Sequence, residues 1–222
     1  MSLAVNNWQL ALTVAMGNAA DRPELIVQPY ELLELFPTLS RLHGEAKANG
    51  MVLQPSNNIG YFGPFERQLR HVNDEAIHWS GCAAGDNVFG IEANGNIKGC
   101  PGLQADYIGG NIRDAPLATI WEHADNLGVA RNGDRSRLWG HCAQCYYAEA
   151  CMGGCTWTSH SLFGRPGNNP LCHYRALDFA RRGLRERLVK VTPAPGLRFD
   201  NGRFEIVVEA HVHSADYVQD PR

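Results

Sequence analysis

Seven cysteines in a distinctive order and spacing constrain this chain more than any other feature. Cys82 and Cys100 come first, a block with the spacing C-x2-C-x5-C-x3-C follows, and Cys172 stands alone after it; the block consists of Cys142, Cys145, Cys151 and Cys155. An odd number of cysteines argues against a disulfide framework, which would leave one thiol over. The thiols divide naturally into sets of four and three, which suits two metal centres. We therefore predict metal ligation in a reducing cytosol.

Composition excludes several other classes of protein. The net charge of the 222 residues is −3, with both signs scattered along the chain, so nothing favours nucleic acid or an anionic membrane as a partner. No apolar run approaches the roughly 20 residues of a membrane span. The mildly apolar start lacks the basic region of a secretion signal, since its first Lys or Arg is Arg22. We predict a cytoplasmic protein that binds neither nucleic acid nor membrane.

The first 60 residues have the pattern of a βαβ unit. Residues 10–16 and 51–53 are short apolar runs, and residues 30–48 between them have a helical apolar period with Pro37 as a kink or break. Parallel strands need neighbours that cover both faces of the sheet. We therefore expect the unit to belong to a larger sheet or to pair with another chain.

The rest of the chain has the signals of a separate, loop-rich region. Asn94-Gly95 predicts a hairpin between residues 88–91 and 96–98, which would return Cys100 to the neighbourhood of Cys82. Residues 116–130 and 173–191 are expected to be helices, residues 197–209 a second hairpin, and the cysteine block largely irregular. The predicted fold class is α+β.

The chemistry of the thiols alone leaves two metals open. Thiolates are soft ligands that select zinc or iron–sulfur clusters, and a set of four serves either. Only one C-x2-C pair is present, Cys142 with Cys145, and the other spacings are wide and uneven. Seven cysteines are too many to be explained as small buried hydrophobic residues.

The complete pattern resembles a known family. The spacing of all seven cysteines closely resembles the SPASM domain of radical SAM enzymes: C-x12-G-x4-C comes first, then the block, then a final cysteine. The segment between the second and third cysteines also resembles that domain, at Gly110-Asn111-Ile112 and Ile120-Trp121. Residues 10–58 are similar to the last βα units of the partial TIM-type barrel of that family. The resemblance implies the end of a radical SAM barrel in residues 1–70, a SPASM domain in 71–190, and a C-terminal hairpin and tail in 191–222.

The resemblance also implies two auxiliary [4Fe–4S] clusters wrapped by a hairpin and helices, with interleaved ligands. By position, Cys82, Cys100 and Cys155 would hold the first cluster. The second would have four ligands, Cys142, Cys145, Cys151 and Cys172. The fourth iron site of the first cluster would be open to substrate, or held by solvent or by a residue such as His78.

One family motif is absent from this sequence. SAM cleavage in the family uses C-x3-C-x2-C, whereas Thr158 stands where the third thiol would follow Cys151 and Cys155. We expect S-adenosyl-L-methionine to be a cofactor of the full-length enzyme only, with this chain as its C-terminal fragment or as a partner of a separate radical SAM catalytic chain. The implied enzyme is an oxidoreductase-type maturase of a peptide or protein, whose auxiliary clusters transfer electrons or bind substrate. The alternatives are a zinc-stabilised binding module and a stand-alone electron carrier.

Overall fold

The computed structural model describes residues 5–70, 79–129, 134–197 and 200–211. Three small sheets are surrounded by short helices, a mixed architecture compatible with the predicted α+β class. The strands are β1 Asn7–Leu10, β2 Val52–Pro55, β3 Gly90–Ile91, β4 Asn96–Lys98, β5 Ile108–Asn111, β6 Leu184–Thr192 and β7 Arg203–Ala210. The α-helices are α1 Asn18–Asp21, α2 Leu32–Ala48, α3 Glu66–Arg70, α4 Leu117–His123, α5 Ala148–Cys151, α6 Thr156–Phe163 and α7 His173–Arg181.

The N-terminal βαβ unit is confirmed, although its first strand lies earlier than predicted. β1 and β2 pair in parallel, with Trp8 opposite Leu53, and α2 connects them. Most of residues 11–16 are not in a strand. The reason is that the backbone of Leu12 pairs with a side chain: its N–H donates to Asn58 Oδ1 at 3.3 Å, and its carbonyl accepts from Asn58 Nδ2 at 2.6 Å.

Helix α2 is not divided at Pro37, which lies inside its 17 residues. A 3-10 turn at Pro29–Glu31 precedes the helix, and the Glu31 carboxylate accepts the backbone N–H of Gln28 at 2.7 Å. The apolar side of α2 packs in one core with residues of α7; the α2 residues buried there are Leu32, Leu33, Phe36, Leu39 and Ala46. This packing fixes the start of α7, where Cys172 is the N-terminal cap.

The predicted hairpin around Asn94-Gly95 is confirmed, and it belongs to a three-stranded sheet. β3 pairs antiparallel with β4, and β4 pairs with β5, a strand that the sequence analysis missed. β5 contains Gly109 and Gly110, which weaken a strand prediction. The glycines are needed because a Cβ on Gly109 would lie 2.6 Å from Leu127 and one on Gly110 would lie 3.1 Å from Ile120.

Two predictions for regular structure near the cysteines are wrong. The cysteine block, residues 142–155, is not largely irregular, since it contains most of the 3-10 helix Gly140–Gln144 and all of α5. The predicted helix at 116–130 is divided into α4 and a 3-10 helix, Asp125–Val129. The segments are too short for a helical period to be visible in the sequence.

The predicted helix over 173–191 is wrong beyond Arg181. α7 ends there, Gly183 has a φ of 70°, and β6 begins at Leu184. β6 pairs antiparallel with β7, so the second hairpin uses β6 rather than residues near 197 as its first strand. Leu184 and Leu188 are four residues apart, a spacing that fits one helix face and also one strand face.

Buried contacts connect the parts of the chain that the resemblance assigns to different domains. Residues of α2 and α7 share a core with Leu171. The carbonyl of Asn58 accepts hydrogen bonds from Thr158 Oγ1 at 3.0 Å and Asn169 Nδ2 at 3.3 Å. The division at residues 70 and 190 stays a prediction. No helix in the described ranges has both the length and the apolar character that crossing a bilayer requires.

A left-handed turn separates Cys151 from Cys155. Met152, Gly153 and Gly154 have φ angles of 51°, 77° and 76°, and Met152 is the one non-glycine residue with positive φ among the residues described. A Cβ on Gly153 would lie 2.7 Å from backbone atoms of Gly167. Such φ values and contacts favour glycine, so this short sequence can reverse direction between two cysteines.

We predict that Gly153→Ala destabilises the fold more than Gly183→Ala does. Both glycines have positive φ, which costs an alanine about 1 kcal/mol, but a Cβ on Gly183 meets nothing within 4 Å. Gly153→Ala adds the contact with the Gly167 backbone to that cost. Urea unfolding of the two variants measures the difference. Equal losses of unfolding free energy would show that the turn is not tightly packed.

We also predict that Asn58→Ala lowers the free energy of unfolding by about 1–3 kcal/mol, because the buried N–H and carbonyl of Leu12 lose their partner. The control is Asn57→Ala, at an exposed neighbour with one 3.4 Å bond from Arg70, which should change stability by less than about 0.5 kcal/mol. Indistinguishable urea midpoints would contradict the role of Asn58 as a buried link.

Candidate metal centre

Four of the seven cysteines line a single recess. They are the four that the resemblance assigns to one cluster, Cys142, Cys145, Cys151 and Cys172. The recess encloses about 370 Å³, part of it open to solvent, and its wall also includes Gly60, Tyr61, Gly153 and Gly154. Cysteines from a span of 31 positions, 142 to 172, therefore face the same small volume.

Short helices and one distant loop position these four thiols. Cys142 lies in the 3-10 helix Gly140–Gln144, Cys145 caps its end, and Cys151 is the last residue of α5. The loop after β2 closes the recess beside Cys172, whose Sγ donates to the carbonyl of Tyr61 at 3.4 Å. A Cβ on Gly60 would lie 2.9 Å from Cys172 Cβ, so glycine permits this approach.

The remaining three thiols form a second group. Cys82 and Cys100 pack with Trp157 against a small buried cluster, Ala84, Leu103 and Tyr107. Cys82 acts electrostatically on both Cys100 and Cys155 and contributes to the raised pKa of each. The hairpin thus returns Cys100 to Cys82 as predicted, and Cys155 joins them from the other end of the cysteine block.

Burial makes the thiolate forms of these cysteines costly without a cation. Desolvation is the main cause that raises the pKa of Cys151 to about 12 and that of Cys155 to about 11. It also raises the pKa values of Cys100, Cys142, Cys145 and Cys172. A bound metal supplies the positive charge that a buried thiolate lacks, and a coordinating thiol is deprotonated.

Backbone N–H groups near the same sulfur atoms lower the pKa values of the thiols and so oppose the effect of burial. The amide of Tyr147 donates to Cys145 Sγ at 3.4 Å. The amide of Gly154 lowers the pKa of Cys151, and that of Arg175 lowers the pKa of Cys172. Backbone amides also lower the pKa values of three other thiols: Gly102 and Leu103 act on Cys100, Asn169 on Cys142, and Thr158 and Trp157 on Cys155. Hydrogen bonds to sulfur are one way in which proteins tune iron–sulfur clusters.

The donor set of the recess fits an iron–sulfur group. Its four potential ligands are all soft sulfur atoms, the type that binds such clusters or zinc. Within the described ranges, no three His, Cys, Asp or Glu side chains converge as they would around one ion. The four cysteines line a recess that is partly open to solvent. His78, the candidate additional ligand of the other thiol group, lies outside the described residues.

Three residues that complete the wall of the recess, Tyr147, Tyr174 and Arg175, were not predicted from the sequence. Arg175 lines it, with Nη1 4.0 Å from Cys142 Sγ. Tyr61 and Tyr147 stack with ring centroids 4.1 Å apart, and Tyr174 stands edge-on to both. No local pattern marks these residues, because the wall is assembled from the β2 loop, the cysteine block and α7.

Comparison with known proteins adds an independent finding. The model of the SPASM family, described as an iron–sulfur cluster-binding domain, matches residues 82–146. That stretch contains Cys82, Cys100, Cys142 and Cys145 and ends before the other three thiols.

Three curated proteins are similar to parts of this chain. The pre-heme d1 synthase of Dinoroseobacter shibae is 25% identical over 135 residues, 60% of this chain and 33% of the relative. The mycofactocin maturase MftC of Mycolicibacterium smegmatis is 32% identical over 76 residues, 33% of this chain and 19% of the relative. The AdoMet-dependent heme synthase of Methanosarcina barkeri is 31% identical over 96 residues, 43% of this chain and 26% of the relative. The chain spans a third or less of the length of each.

The family match agrees with the resemblance that the thiol spacing predicts. A recess lined by four partly buried cysteines is consistent with the same chemistry. Residues 82–146 thus match an iron–sulfur cluster-binding domain of the SPASM type, and parts of the chain are similar to the three proteins named above.

Proposed function

We propose that this chain binds two [4Fe–4S] clusters and forms the auxiliary-cluster part of a radical SAM/SPASM enzyme. Cys142, Cys145, Cys151 and Cys172 would hold the second cluster. Cys82, Cys100 and Cys155 would hold the first, with its fourth site left to substrate, solvent or another side chain such as His78. The observation that carries the proposal is that four thiols line one recess, while Cys82 and Cys100 pack together elsewhere.

The role of the protein is to hold, shield and tune these groups. A bound cluster supplies one-electron transfer. The left-handed turn at 152–154 directs Cys151 and Cys155 to different thiol groups. The stacked rings of Tyr61 and Tyr147 line the recess, and the amides favour negative charge on sulfur. Together these features suit a centre that accepts or donates an electron after a carbon radical forms on the substrate.

The complete reaction requires more than these 222 residues. They lack C-x3-C-x2-C, so SAM would be bound and cleaved by another part of a full-length enzyme or by a separate radical SAM catalytic chain. One similar protein is named a maturase, and on that basis we propose a peptide or protein substrate in the cytoplasm. Residues 1–70 would be the end of the partial barrel, 71–190 the SPASM domain, and 191–222 the hairpin and tail.

We predict that anaerobic reconstitution loads about eight iron and about eight sulfide per chain, as two cubane clusters require. Cys145→Ala should lose the second cluster and keep about four iron in the first. Cys100→Ala is the matched variant and should lose the first cluster instead. Iron and sulfide analysis with electron paramagnetic resonance distinguishes these products.

Two other outcomes would overturn the proposal, one in metal content and one in the partners of the chain. A colourless protein that holds one or two zinc ions would indicate a zinc-stabilised binding module. Full iron content with stable electron exchange, but no association with any SAM-cleaving protein or segment, would indicate a stand-alone electron carrier.

A further inference from the structure

Two buried ion pairs lie beside the four-thiol recess. The first joins Arg175 and Glu186, whose side chains are 2% and 4% exposed. Their contact is bidentate, with Nε 2.6 Å from Oε2 and Nη2 2.7 Å from Oε1. Removing such charges from water is costly, and replacing a buried pair with apolar residues is often neutral or stabilising. The pair therefore calls for an explanation other than stability.

The remaining nitrogen of Arg175 faces the recess. Nη1 donates to Asn168 Oδ1 at 2.6 Å and lies 4.0 Å from Cys142 Sγ. The charge of Arg175 acts on three of the four recess thiols and lowers the pKa of Cys142, Cys145 and Cys172. Glu186 lies behind the guanidinium, which stands between it and the sulfur of Cys142.

The second pair joins Arg70 and Glu66, whose side chains are 8% and 6% exposed, with Nε 2.5 Å from Oε1. Nη2 of Arg70 donates to the carbonyl of Gly60 at 3.0 Å, and Gly60 lines the recess. The guanidinium stacks 3.7 Å from the ring centroid of Phe62. Burial lowers the pKa of Arg70, and the charges of Glu66, Cys151 and Cys172 oppose that lowering.

Between them, the two arginines act electrostatically on all four recess thiols. Reduction of a cluster adds one negative charge, and a nearby buried cation stabilises that charge more than an exposed one does. The carboxylate partner opposes this effect, and Glu186 does so from the far side of the Arg175 guanidinium.

We propose that the Arg175–Glu186 and Arg70–Glu66 pairs set the reduction potential of the group bound in the recess. Each arginine favours the reduced state, and each carboxylate restrains it. This inference rests on the proposed binding of an iron–sulfur cluster there.

The test compares reduction potentials of Arg175→Gln and Glu186→Gln in the full chain after anaerobic reconstitution. Both changes break the same ion pair, so purely structural damage would shift the two potentials in the same direction or not at all. The electrostatic role predicts opposite shifts: Arg175→Gln lowers the potential, and Glu186→Gln raises it. Redox titration followed by electron paramagnetic resonance measures the shifts.

Conservative and exposed variants are the controls. Arg175→Lys keeps the positive charge and should remain closer to the native potential than Arg175→Gln does. Arg41→Gln removes one member of the Arg41–Glu45 pair, whose side chains are 61% and 57% exposed, and should leave the potential unchanged. Arg70→Gln and Glu66→Gln should repeat the opposite shifts of the first pair.

Iron and sulfide content separates failure of this inference from failure of the proposed function. Variants with native cluster content whose potentials shift in the same direction, or do not shift, overturn the tuning role alone. If the Arg175→Gln variant loses its cluster, the Glu186→Gln variant is the remaining test. An unchanged or lowered reduction potential in Glu186→Gln overturns the inference. A native chain that binds no cluster overturns both.

Discussion

The architecture of the candidate centres depends on the backbone between Cys151 and Cys155. Three successive residues with positive φ reverse the chain there, and the turn packs against Gly167 and Asn169. Cys151 therefore lines the four-thiol recess, whereas Cys155 lies within electrostatic range of Cys82. Any shift in this turn would move both thiol groups, because the loop against which it packs leads directly to Cys172.

Burial and charge act together at the recess. Desolvation raises the pKa values of its thiols, whereas backbone amides and Arg175 favour the thiolate forms. The core shared by α2 and α7 holds the start of α7, so the N-terminal βαβ unit supports the position of Cys172. Packing far from the sulfur atoms thus contributes to the chemistry, since it excludes water and fixes the charges.

The sequence predicted the parts of the site that follow from local spacing. Asn94-Gly95 indicated the hairpin that brings Cys100 to Cys82. The Arg175–Glu186 pair was hidden because residues 173–191 were predicted as one helix, whereas Glu186 lies on β6. Strand β6 is stabilised by pairing with β7, a contact between segments about twenty residues apart that no local period reveals.

The most direct test of this account is the cluster content of Cys151→Ala and Cys155→Ala, measured by Mössbauer spectroscopy after anaerobic loading with iron-57. If the two neighbouring cysteines serve different centres, each variant should retain about four iron, and the two residual spectra should differ. Identical residual spectra, or the loss of the same cluster from both variants, would contradict the separation of the seven thiols into two groups.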